Sequence, residues 1–236
     1  MTAPPDRLRI RAPLAILAEG ADGGGVVEGS RIAERVIARS HDPAEGAMIQ
    51  VALAPCSPFP VTPERMRGAA GVGVRHCPTS NMTLASGRRR TRELEAAGAK
   101  LGLGVDGSAS NDSSNMMEGV RHALPLGRLT YDATLSHQDD FRRATEGSAA
   151  CLGRDDIGTI AVGMQADLAL FTLDELRFSG AGDPLAALVL CGAHRAERVM
   201  IAGRWTVVGG QPVGIDIARL RAEHGRAARR YLEQTP

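Results

Sequence analysis

Lysine is nearly absent: of 28 basic residues, 27 are arginine, and Lys100 is the one lysine. Against 27 acidic residues the formal charge is +1, so there is no electrostatic footprint for nucleic acid or for an anionic membrane surface. The arginine bias, beside abundant Ala and Gly, reads as codon usage. The four cysteines, Cys56, Cys77, Cys151 and Cys191, form no C-x-x-C pair, which argues against a zinc knuckle and a disulfide framework. Reduced, mostly buried thiols in a cytoplasmic protein are expected. No run approaches the roughly 18 apolar residues that a membrane-spanning helix needs. The start, MTAPPDRLRIRAPL, lacks the apolar core of a secretory signal, so a soluble, unexported protein is expected. The six histidines, at 41, 76, 122, 137, 194 and 224, include no His-x-His and no i, i+4 pair spaced for joint metal ligation.

What is present is enough chain, 236 residues, to bury a real core. Residues 8–18 and 26–37 are branched-residue-rich runs around AEGADGGG, which predicts a hairpin or meander. Residues 48–53 predict another strand, stopped by the prolines of Ala54-Pro55-Cys56-Ser57-Pro58. Thr62-Pro63-Glu64 then offers a helix start. Further on, 72–76 reads as a buried strand ending in a loop over 77–81. Residues 91–97 read as a helix that Gly98 stops, and 101–105 as an apolar strand. Strand, loop, helix and strand in that order imply parallel strands with a crossover helix. Asp106 then falls at the carboxyl end of its strand, the end that carries the chemistry in α/β barrels. Ser136 and Asp139 form a capping box that opens a helix running to Leu152. Strands follow at 158–162, 167–171, 199–201 and 205–208, and 215–232 predicts an Arg-rich amphipathic helix.

The stretch from Gly104 to Asn115 packs two acids, two amides and four serines behind an apolar strand. An ordinary Asx/Ser turn with a helix cap explains such a composition equally well. However, the chain has three asparagines, Asn81, Asn111 and Asn115, and all lie in the two loops after these strands, which tilts the reading toward a polar pocket. His76 and Cys77 are adjacent and invite a Cys-His pair, but neighbours on a strand face opposite sides. Asp155 and Asp156 read as a solvated turn.

HCPTSNMTLASG (76–87) together with LGLGVDGSASNDSSNM (101–116) resembles the last two strand-loop units of an amidohydrolase-superfamily barrel. IGTIAVGMQADLALFTLD (157–174) resembles that superfamily's return into a β-sandwich. With LAPCSPFPVT (53–62) and the stretch 176–205, the resemblance is nearest to bacterial 8-oxoguanine deaminases and related purine or triazine deaminases. It implies an α/β fold, a metal-dependent-hydrolase (β/α)8 barrel with a small β-sandwich formed by both chain ends. Residues 1–37 and 157–213 would supply the sandwich, 38–156 the barrel portion and 214–236 a terminal helix. It also implies a divalent metal, zinc or iron, held by a His-x-His pair, a further His and an Asp. Asp106 matches that Asp, as both metal ligand and catalytic residue. The metal-activated water would release ammonia from a cyclic amidine, so the partner implied is a small purine-like amino-heterocycle. His76, Asn81, Ser110 and Asn111 are the weaker substrate-binding candidates.

The sequence departs from that pattern in two places. It runs from RIAERV (31–36) almost directly into 40–56, and from PERMRGAA (63–70) directly into GVGVRHC (71–77). The blocks that would carry the His ligands and an acid-base Glu appear in neither junction. A lone carboxylate does not hold catalytic zinc, which takes about three protein ligands. Fewer than 120 residues lie in 38–156, against about 250 for a closed barrel. The expectation is an incomplete barrel with impaired deaminase chemistry, whose unpaired edges favour association into a homo-oligomer or aggregate. A non-catalytic deletion remnant and a ligand-binding or oligomerisation module are the alternatives.

Overall fold

The computed structural model describes residues 38–39 and 73–234. The expected strands at 8–18, 26–37 and 48–53 and the helix start at Thr62 lie outside the described residues. Strand β1 (Gly73–His76) pairs in parallel with β2 (Lys100–Leu103), in register from Gly73 opposite Lys100 to His76 opposite Leu103. Between them run α1 (Pro78–Thr83) and α2 (Thr91–Ala96), so the expected crossover unit is present. The loop expected over 77–81 is a helix instead. Pro78 ends β1, because it has no N–H to give a ladder, and takes the first helical turn, where none is needed.

After β2 the chain forms α3 (Met116–Thr130), whose amino end is capped by the Asn115 side chain accepting from the Met117 and Glu118 amides. Its inner face buries Met117, Val120 and Ala123 at helical spacing against Leu103 and Val189, and this cluster is the main core. Next come α4 (His137–Arg142), a π-helical turn over Arg143–Gly147 and α5 (Ser148–Cys151), which together form one continuous helix. Its capping box is as expected: the Asp139 amide donates to Ser136 Oγ at 3.2 Å and the Ser136 amide to Asp139 Oδ2 at 2.9 Å.

This helix lies directly against the small sheet. A Cβ on Gly102 would sit 2.9 Å from Ser148 Cα, and one on Gly147 would sit 2.1 Å from the Leu101 carbonyl oxygen. Glycine at these two positions is what permits the approach. In β2, Gly104 donates its amide to the His76 carbonyl, so the amide and carbonyl of Leu103 point away from β1. The Leu103 amide donates to Ser148 Oγ at 3.3 Å, and the one Ser148 proton is shared between the Arg143 carbonyl at 3.1 Å and the Leu103 carbonyl at 3.2 Å. Among the described residues the outer edge of β2 meets this side chain and no further strand.

The remainder is a four-stranded antiparallel meander of β3 (Leu168–Leu170), β4 (Arg198–Ile201), β5 (Arg204–Val208) and β6 (Gln211–Pro212). A short helix, α6 (Pro184–Leu190), capped by Asp183, is inserted between β3 and β4. The strand expected at 158–162 does not form; Ile160 and Val162 are fully exposed there, and among the described residues there is no ladder for them to join. The tail is the expected helix, α7 (Ile217–Gln234). Cys77, Cys151 and Cys191 are free thiols, half-buried and not deeply buried as expected.

Candidate functional site

The carboxyl ends of β1 and β2 lie side by side because the strands are parallel, and the two polar loops meet there. Asp106, three residues past β2, is exposed and has a φ of +64°, a left-handed conformation that Asp tolerates better than most residues. Its Oδ2 accepts from the Ser80 hydroxyl at 2.6 Å and from Ser110 at 3.3 Å, and its Oδ1 accepts from the Gly107 amide at 2.8 Å. Ser80 also lies 2.9 Å from Ser110 Oγ. These bonds, the Ser80 hydroxyl foremost, stabilise the carboxylate and hold the Asp106 pKa below its ordinary value, outweighing partial burial.

Of the four weaker candidates, Ser110 alone joins Asp106. Asn111 is 2% exposed; its amide donates to the Val105 carbonyl at 2.9 Å and its oxygen accepts from Ser113. Asn81 is also buried and donates to Ser86 Oγ at 2.9 Å. Both asparagines thus tie their own loops. His76 is 4% exposed and its Nε2 has no hydrogen-bond partner. Burial, then the nearby positive charges of Arg89 and Arg143, push its pKa down to about 4, so the ring is neutral at ordinary pH. The Cys77 thiol is pushed up by burial and then by the Asp106 charge, the reverse of what a nucleophilic thiolate needs. His76 and Cys77 therefore do not form a catalytic pair.

Sequence reasoning missed Ser80. It lies inside the HCPTSN stretch, but no spacing rule links position 80 to position 106. A second unforeseen link, Thr79 Oγ1 to His122 Nδ1 at 3.0 Å, ties α1 to the middle of α3.

A zinc or iron site needs several converging imidazoles, thiolates or carboxylates. Among the described residues no group of three His, Cys, Asp or Glu side chains could hold a metal ion. Asp106 has hydroxyls and a backbone amide around it, and the one thiol nearby is held protonated. The donors around Asp106 among the described residues do not fit the metal. No helix among the described residues is long and apolar enough to cross a membrane.

Comparison with known proteins gives a consistent picture. The amidohydrolase family matches over residues 40–206. The chain is 46% identical to the 8-oxoguanine deaminase of Pseudomonas aeruginosa, covering 83% of this chain and 58% of that protein. That match runs over 261 positions, more than the 236 residues of this chain, so it contains positions that the relative has and this chain does not. The 5-methylthioadenosine/S-adenosylhomocysteine deaminase of Pelotomaculum thermopropionicum is 36% identical over 70% of this chain and 39% of its own length. Among solved structures, a zinc-bound adenosine deaminase from Xanthomonas campestris superposes with a TM-score of 0.66 at 35% identity, over 72% of this chain and 40% of that one. The chain thus spans about half the length of the relatives it matches.

Proposed function

We propose that this chain, which belongs to the amidohydrolase family, descends from a deaminase that hydrolyses a C–N bond of a cyclic amidine, of the 8-oxoguanine type, and that Asp106 is the catalytic carboxylate retained from that ancestor. The observation that carries this reading is the position of Asp106, at the carboxyl end of a parallel strand, inside the stretch most like the deaminases. Identity of 46% to an 8-oxoguanine deaminase supports the substrate class. We place the antiparallel meander β3 to β6, within 157–213, in a small sandwich of the kind the family resemblance implies. Residues 73–156 belong to the incomplete barrel, and 217–234 form the terminal helix.

The ancestral cofactor is zinc or iron, which would activate the attacking water. In this chain we expect neither to be held stably, so turnover by the isolated protein is negligible. What Asp106 can do unaided is accept a hydrogen bond from an amino-heterocycle, a role that His76, Asn81 and Asn111 would serve only by shaping the loops. A free thiol at each described cysteine supports a reducing compartment, and we place the protein in the cytoplasm.

Ammonia release from 8-oxoguanine, measured with purified full-length chain and added zinc, tests the reading. None above buffer is expected. Release that is lost in Asp106→Ala and in the presence of a chelator would overturn the inactivity. Purine binding without release would instead identify a ligand-binding module.

A further inference from the structure

A carboxylate has two oxygens with about four acceptor sites in all. In Asp106 Oδ2 accepts the Ser80 hydroxyl at 2.6 Å and lies 3.3 Å from Ser110 Oγ, and one site on Oδ1 is taken by the Gly107 amide. One site on Oδ1 is left. The two hydroxyls are not equal. Ser80 is 3% exposed and its 2.6 Å bond is in the range of a charge-assisted O–H to carboxylate contact, roughly 2.5–2.7 Å. Ser110 stands at 3.3 Å and has a nearer acceptor in Ser80 Oγ at 2.9 Å. The single Ser80 proton cannot serve both Asp106 and Ser110, and the shorter, ionic bond takes it.

We propose that Ser80 is a positioning residue for Asp106: its hydroxyl pins Oδ2 against α1, so that Oδ1 is the oxygen that Asp106 presents to any ligand. The backbone reinforces the pin. The amides of Ser110 and Asn111 both return to the Gly107 carbonyl at 3.0 Å, and Asn111 holds the Val105 carbonyl, so the loop carries Asp106 in one orientation. With Oδ2 held by the short Ser80 bond, Asp106 engages a ligand through Oδ1. The proposal deepens the reading of Asp106 as the reactive carboxylate and rests on it for its significance. Its geometry is tested apart from any deaminase assay, so the two can fail separately.

The reporter is the Gly107 amide, which donates to Oδ1 and loses that bond if the carboxylate turns. Amide proton spectra of the isotope-labelled full chain at neutral pH would compare wild type, Ser80→Ala, Ser80→Thr and Ser110→Ala. The Gly107 proton should move upfield in Ser80→Ala, further than in Ser110→Ala, and stay near its wild-type position in Ser80→Thr. An unmoved Gly107 signal in Ser80→Ala, or a larger shift in Ser110→Ala, overturns the proposal. If Ser80→Ala does not fold, the wild-type chain decides alone. A hydroxyl this buried and this strongly bonded must give a resolved, slowly exchanging proton signal for Ser80, and its absence contradicts the assignment.

Discussion

Ser148 Oγ accepts from the outward-pointing amide of Leu103 at 3.3 Å and shares its own proton between the carbonyls of Leu103 at 3.2 Å and Arg143 at 3.1 Å, on the strand edge where a ring of strands would have to close. A (β/α)8 barrel pairs its last strand with its first across such an edge. Here, among the described residues, a side chain meets the edge of β2 instead. That is a local, covalently tethered solution to the exposure of an unpaired edge.

This relationship makes Gly102 and Ser148 stability determinants. Gly102→Ala places a methyl 2.9 Å from backbone that has no room to retreat and should cost about 1–3 kcal/mol. Ser148→Ala leaves the Leu103 amide without its acceptor and should cost about 1–3 kcal/mol. Urea unfolding of the two variants measures both. A Ser148→Ala protein as stable as wild type would show that the edge needs no cap.

Arg143 is buried, donates from two nitrogens to Glu95 at 2.7 Å each, and reaches Asp140 at 2.8 Å. Asp140 is 2% exposed and its carboxyl is pushed up by burial. Arg143→Met therefore leaves a buried acid without its counter-ion and should destabilise the fold by about 3–5 kcal/mol. Glu95→Gln removes the more exposed partner and should cost distinctly less. Equal losses in the two unfolding midpoints would contradict this ranking.

His76 predicts a pH dependence. Its folded pKa, about 4, lies below the unfolded value of 6.5, so between those two values the unfolded chain binds the extra proton. Stability is therefore fully present above about pH 6.5 and falls as the pH drops toward 4. The loss is about 2 kcal/mol between pH 7.5 and pH 5. Chemical denaturation at the two pH values, repeated with His76→Gln, isolates the effect. The variant should lose less stability on acidification than the wild type, and identical losses would remove His76 as the cause.

Much of the architecture was legible where a local rule fixes it. Ser136 with Asp139 announced a helix start, Gly98 a helix stop, and the apolar runs on either side of α1 and α2 a pair of parallel strands. Asp106 could be placed at a strand end from that order alone. The start of helix α3 was legible only as one of two readings, because the polar run before it reads equally as a binding loop or as a turn with a helix cap; the Met117 and Glu118 amides donating to Asn115 decide for the cap. The short α6, seven residues of apolar PLAALVL, has too few turns to show a period. Ile160 and Val162 have strand-like chemistry, but a strand needs a neighbour, and none stands beside them among the described residues. Ser80 was invisible for a different reason: its role is a contact across 26 positions, which the sequence pattern on either side does not encode.

The most direct test of the account is the metal content of the purified chain. Protein exposed to excess zinc, passed through gel filtration and analysed for bound metal should retain far less than one zinc per chain, and Asp106→Ala should not change the figure. One zinc per chain in a compact monomeric peak, lost on Asp106→Ala, would mean that the residues needed to complete the site are present after all, and would contradict the account.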